Sequence, residues 1–261
     1  MSAGQISLEN HTVLVFGGTA GIGLACVKAF AAAGAQQFML VGRNQERGEG
    51  AIAELSSHWP AVTFEFVSAD ASSVAGAEKA VAACIGTFEK IDILLSTAGG
   101  DPMPAIFHTI PIDEIEGMVR GAQMAAMLPA RAVLPHMMER GSGVILTMAS
   151  DAGKVATPGE VAIGASMAGV IMFSKALANE VKRSKIRVNC LTPSIVRGTP
   201  LYDVLMADSF ASKLFGKAEQ LACLGVVEPE DLGQVAAFLA SPAASKITGQ
   251  VVSVNGGISM G

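Results

Sequence analysis

Several kinds of residue are scarce in this 261-residue chain, and each scarcity excludes something. Charged side chains make up 16% and sum to a net charge of −5, with no Lys/Arg stripe, which argues against nucleic acid as a partner. The four cysteines, Cys26, Cys84, Cys190 and Cys223, follow neither ligand nor disulfide spacing. Reduced, mostly buried thiols are expected, and no metal site. No basic patch leads into an apolar run at the start, so no signal peptide is expected. The longest uncharged stretch, between Glu160 and Lys175, reads as too short and too rich in Gly, Ala and Ser to span a bilayer. A cytoplasmic protein with no membrane partner is the expectation. Tyrosine occurs once, as Tyr202, and tryptophan once, as Trp59.

What is abundant points to tight packing. Hydrophobic residues reach 51% and glycines number 29, a profile of α/β proteins with many strand–helix turns. The length and the lack of any linker or repeat suit a single domain over 1–261. Apolar runs at Thr12–Gly17, Phe38–Gly42, Val62–Val67, Ile91–Ser96, Val144–Ala149, Arg187–Leu191 and Val251–Val254 read as strands covered on both faces. Helical patterns fill Ile22–Ala33, Gln45–Ser57, Val74–Thr87, Asp113–Glu139, Glu160–Lys182 and Pro229–Ala240. Such alternation predicts a doubly wound, mainly seven-stranded parallel sheet with helices on both faces. The segment Thr199–Gly225 is less regular and falls where a substrate-covering lid is expected.

The first strand runs into Gly17-Gly18-Thr19-Ala20-Gly21-Ile22-Gly23. Gly17 permits a tight turn, Gly21 lets backbone approach a pyrophosphate, and Gly23 lets the helix pack on the sheet. The helix beginning at Ile22 offers unpaired N–H groups to phosphate. In its strand–turn–helix context the cluster predicts a Rossmann-type nucleotide site. After the second strand come Gly42 and Arg43 in place of an acid, which favours the 2′-phosphate of NADP over the ribose diol of NAD. Asp70, past the third strand, can accept a bond from adenine or cap the next helix, through itself or Ser72.

With these residues in view, the chain resembles the short-chain dehydrogenase/reductase family along nearly its whole length. The resemblance is carried by Phe16-Gly17 through Gly23, Ser96-Thr97-Ala98-Gly99, Ser150 after the fifth strand, Val188-Asn189-Cys190-Leu191-Thr192-Pro193-Ser194, and Thr248-Gly249-Gln250 to Val254-Asn255-Gly256-Gly257. It implies cofactor contacts at Gly17, Thr19, Gly21, Ile22, Gly23, Arg43, Asp70, Ala98, Gly99 and Thr199, the last as the nicotinamide-carboxamide threonine. It also implies a reaction in which a tyrosine moves the hydroxyl proton, a lysine supports it, a serine binds the substrate oxygen and an asparagine holds a water. Counting forward from Ser150 and backward from Ser166 gives one register. Tyrosine then maps to Ile163, lysine to Met167 and asparagine to Ala122.

Isoleucine has no ionisable proton and methionine no charge. Losing general acid catalysis costs about 10²–10⁴-fold. Two readings follow, the first placed narrowly ahead. In the first, the chain keeps a nucleotide site and acts as a non-catalytic or regulatory subunit, in a homo-tetramer or in a hetero-tetramer with an active paralogue of the same family as partner. In the second, it is an active NADP(H)-dependent oxidoreductase whose proton comes from Ser150 with a water, from Tyr202, or from His108 and Asp101. Lys154 and Asp151, close to Ser150, are expected to be surface or loop residues.

Overall fold

The structure, a computed structural model, describes residues 6–100 and 103–261. Seven strands form one sheet: β1 (Thr12–Phe16), β2 (Gln37–Gly42), β3 (Thr63–Ser68), β4 (Ile93–Ser96), β5 (Gly143–Met148), β6 (Ile186–Pro193) and β7 (Val251–Val254). Their order is β3-β2-β1-β4-β5-β6-β7, and every neighbouring pair is parallel. Between them lie α1 (Gly21–Ala32), α2 (Gln45–His58), α3 (Val74–Phe88), α4 (Glu114–Arg140), α5 (Val161–Val181), α6 (Pro200–Ala207), α7 (Ala211–Leu221) and α8 (Pro229–Ala240).

Because strand side chains alternate between faces, β1 feeds two cores at once. Val13 and Val15 pack with Val27 and Phe30 of α1, Leu55 of α2 and Leu232 of α8. Leu14 and Phe16 pack on the other face with Val81 of α3, Val133 of α4 and Leu177 of α5. Each such fully buried Leu or Phe contributes roughly 1.5–3 kcal/mol relative to exposure. At the far end of the sheet, Arg187 donates to the carbonyls of Leu239, Ala240, Ser241 and Ile247, closing the C-terminus of α8. Burial there lowers the guanidinium pKa.

Three expectations need correcting. β3 is not continuously apolar: Thr63 and Glu65 are exposed while Phe64 is buried, because the strand is at the sheet edge. The segment from Thr199 is not irregular but holds two helices, α6 and α7. Thr199 caps α6 by accepting from the Tyr202 amide, and Pro200 opens it. Finally, α5 with the turn after it, Val161–Ser184, is long and apolar enough to cross a bilayer by length and composition. It packs here as a core helix against α4 and β6, with Leu177, Ala178 and Val181 buried.

Candidate active site

The sheet order reverses at β1, with β2 on one side and β4 on the other, so a crevice opens beyond the carboxyl ends of β1 and β4. Gly17 lies at its centre with φ of +86°, where a Cβ would come within 2.5 Å of Thr97 Oγ1. At Gly23 a Cβ would lie 2.1 Å from the Gly17 carbonyl oxygen, so the turn and α1 are in backbone contact. The helix starts after Ala20 without a side-chain cap, which leaves its first amides free for an anion. Thr97 fixes the opposite wall by donating from its hydroxyl and its amide to the Phe16 carbonyl, at 3.0 and 2.9 Å. Ala98 and Gly99 follow directly, and a Cβ on Gly99 would lie 3.2 Å from Ala122 Cα on α4.

Thr19, Gly42, Arg43 and Asp70 converge at the carboxyl ends of β1 to β3. The Thr19 side chain would lie 3.3 Å from a Cβ on Gly42. Arg43 is exposed, and its carbonyl accepts from Ser68 Oγ at 3.3 Å. Asp70 accepts from both the amide and the hydroxyl of Ser72, which hold its carboxyl below the usual range, with the Arg43 guanidinium adding to the effect. The cap of α3 is Ser73, not Asp70 or Ser72, since its hydroxyl accepts from the Gly76 amide at 3.0 Å. Thr199 reaches the glycine turn from above: its Cγ2 would be 3.5 Å from a Cβ on Gly21.

The other half of the crevice is built around Ser150. Its Oγ accepts from the Ala152 amide at 3.2 Å and caps a 3-10 turn, Asp151–Gly153. That turn presses on α5: a Cβ on Gly153 would lie 2.7 Å from Ala168 N, and one on Gly164 2.7 Å from the Ala152 oxygen. Ile163 and Met167 therefore stand on the helix that backs Ser150. Ile163 is 7% exposed. Met167 is half-buried against an apolar cluster that includes Ala126, Ala149, Val170, Ile171 and Cys190. Ser166 turns toward α4 and donates to the Val119 carbonyl at 3.0 Å.

Residues 11–209 match the family described as short chain dehydrogenase. The chain belongs to that family. A relative, 3-oxoacyl-(acyl-carrier-protein) reductase FabG of Chlamydia pneumoniae, is 34% identical over 257 residues, 97% of this chain and 99% of the relative. The crystal structure of 3-ketoacyl-(acyl-carrier-protein) reductase from Brucella melitensis complexed with NADH superposes with a TM-score of 0.86 at 31% identity, covering 97% of this chain and 100% of that one. Levodione reductase gives a TM-score of 0.90 at 27% identity, with 96% and 98% covered. A nicotinamide dinucleotide is the class of cofactor consistent with this short-chain dehydrogenase site, since the Brucella relative carries NADH.

Three side chains expected as alternative proton donors are placed differently from one another. Tyr202 donates its hydroxyl to Glu219 on α7 at 3.0 Å, and the same carboxylate holds Arg197 at 3.0 Å. His108 is exposed on a 3-10 turn, Phe107–Thr109. Asp101 lies outside the described residues. Asp151 lies in the turn after β5, as expected of a loop residue, but it is only 5% exposed, because Ser253, Asn255 and Ser259 donate to its carboxylate and cover it. Lys154 is half-buried and donates to Ser253. Another carboxyl, Glu160, precedes α5 by one residue. Burial raises its pKa, opposed by a bond from Thr157. Nothing in its local pattern signals this; its neighbour Gly159 accepts from the Ala105 amide and lies under the Phe210 ring of the lid-like segment.

Proposed function

We propose that this short-chain dehydrogenase is an active oxidoreductase acting on a carbonyl or alcohol, with NADP(H) as its cofactor. The observation that carries the proposal is the placement of the Gly17–Gly23 turn and the Ser150 turn at the carboxyl ends of β1 and β5, which flank β4 in the parallel sheet, within a chain similar over 97% of its length to a reductase. Gly17, Thr19, Gly21, Ile22 and Gly23 would hold the phosphates, Ala98, Gly99 and Thr199 would line the path to the reacting end, and Asp70 would face the adenine. Arg43 supports the phosphorylated form, since no acid stands at the end of β2. When bound, the dinucleotide supplies or accepts a hydride.

The chain's own part is to bind the substrate oxygen and see it protonated. Ser150 Oγ already accepts from the Ala152 amide, so its hydroxyl hydrogen is free to point at that oxygen. Tyr202 donates its hydroxyl to Glu219 and His108 is exposed on its turn, which favours Ser150 with an ordered water as the proton route. Such a route is slower than one through a dedicated acid by about 10²–10⁴-fold.

A second reading is favoured by one observation. If Ile163 and Met167 stand at the family's tyrosine and lysine positions, no phenol or ammonium serves the crevice from α5, and the chain is a nucleotide-binding, non-catalytic subunit. It would then work in a homo-tetramer, or in a hetero-tetramer with an active paralogue, in the cytoplasm.

Transfer of deuterium from labelled NADPH to a panel of carbonyl compounds separates the two. The oxidoreductase reading expects measurable transfer that Ser150→Ala abolishes. No transfer, together with tight NADP⁺ binding by calorimetry, would leave the second reading standing.

A further inference from the structure

The C-terminal residues close around the loop that carries Ser150. Asp151 begins the 3-10 turn that Ser150 caps. Its carboxylate is buried, and among the described residues the three side-chain donors that reach it lie in the C-terminal segment 253–259. Ser259 Oγ donates at 2.8 Å, Ser253 Oγ at 3.4 Å, and Asn255 Nδ2 also donates. Asn255 in turn holds the tail in a bend, donating to the Ser259 carbonyl at 2.9 Å and accepting from the Gly257 amide at 2.9 Å. Lys154, at the other end of the turn, donates to Ser253. The last residue closes the same region, since a Cβ on Gly261 would lie 2.8 Å from Val155 Cγ2.

A carboxylate this deep is costly unless its lone pairs are filled. Here the tail fills them, so the tail and the turn are each ordered by the other. Ser150 is the residue immediately before Asp151. Its hydroxyl direction is set by the Ala152 amide inside the same turn. Loosening Asp151 therefore loosens Ser150.

We propose that Asp151 is a positioning residue and that the C-terminal segment Ser253–Ser259 is part of the reactive site, acting through Asp151 to aim the Ser150 hydroxyl. This rests on the oxidoreductase reading given above, but one part of its test does not. Ser259→Ala removes a single donor at the chain end, and Ser259→Thr retains the hydroxyl. In carbonyl reduction, Ser259→Ala is expected to lower kcat by about 10- to 100-fold, the scale of a small misplacement of a reacting group. The NADPH Kd should stay within about twofold, since Ser150 faces the substrate oxygen and not the nucleotide, and KM should change less than kcat. Ser259→Thr should restore kcat. In hydrogen–deuterium exchange, the Ala152 amide should exchange roughly tenfold faster in Ser259→Ala, the loss of about one buried hydrogen bond. The glycine turn over 17–23 should be unchanged.

An unchanged kcat with a lowered Tm would overturn the proposal and leave the tail as a purely structural strut. Unchanged exchange at Ala152 would overturn it as well. A wild-type chain that transfers no hydride would remove the oxidoreductase reading, and the exchange measurement alone would then decide whether the tail holds the Ser150 turn.

Discussion

The two halves of the crevice are made of different material. The nucleotide half is shaped by backbone: Gly17 against Thr97, Gly23 against Gly17, and the open first turn of α1. Few of its contacts depend on what a side chain can ionise. The half we propose as reactive is shaped by side chains: Ser150 and Asp151 on one turn, backed by α5 with Ile163 and Met167, and Tyr202 tied to Glu219. Backbone geometry survives most substitutions, while a proton relay is lost with two. A chain of this family can therefore retain its grip on a dinucleotide while its chemistry changes or fades, and the two properties must be measured apart.

The contrast would be broken most sharply by Ile163→Tyr combined with Met167→Lys. If these positions stand at the family's relay, the double substitution should raise turnover by about 10²–10⁴-fold, with nucleotide affinity little changed. Steady-state rates with the carbonyl substrate that accepts deuterium best would show it. An unchanged rate would mean that α5 does not present these positions to the substrate. The engineered lysine must leave the apolar cluster around Ala149 and Cys190, so its stability should be followed in the same samples.

The opposite change belongs to the nucleotide half. Gly23→Ala would place a methyl 2.1 Å from the Gly17 oxygen, so the turn or α1 must shift. A loss of about 1–3 kcal/mol in stability is expected. Dinucleotide binding should weaken roughly 10- to 100-fold, as amides aimed at phosphate lose their direction. Denaturant unfolding and calorimetry would read the two effects.

The unequal legibility of these halves has the same origin. Strands, most helices and the glycine turn are written in local pattern, and each predicted strand lies within two residues of an observed one. The lid-like segment had its signal too, a capping Thr199 followed by Pro200, but α6 is only 8 residues long and its apolar period is too short to stand out. Asp151 carries no such signal. Its partners are 102, 104 and 108 residues away in sequence, and only the folding of β7 and the tail brings them to it. Burial of a charged residue by distant chain is invisible to any window-based reading.

A smaller effect would sharpen the nucleotide half. Arg43 is exposed beside Asp70 and has no acid next to it on the end of β2. Arg43→Ala should weaken NADP⁺ binding by about tenfold, the loss of one charge-assisted bond, and leave NAD⁺ binding nearly unchanged. Equal losses for both dinucleotides would show that Arg43 shapes the adenine site without reading the 2′-phosphate.

The smallest effect lies at the junction of α5 with the lid-like segment. Burial raises the Glu160 pKa, so the folded chain holds this proton more tightly than the unfolded chain does. A raised folded pKa means stability that is fully present below the unfolded value of 4.5 and is lost as pH climbs through the folded value. Above that window, the native state bears the cost of a buried carboxylate. Glu160→Gln removes the ionisation while retaining the shape and a bond to Thr157. Its Tm should match the wild type below pH 4.5 and exceed it slightly at neutral pH, with the gap opening across the window between. A gap that is the same at all pH values would show that Glu160 titrates alike in the folded and the unfolded chain. The carboxylate would then be solvated, and the loop around Gly159 would be more open than its packing against Phe210 implies.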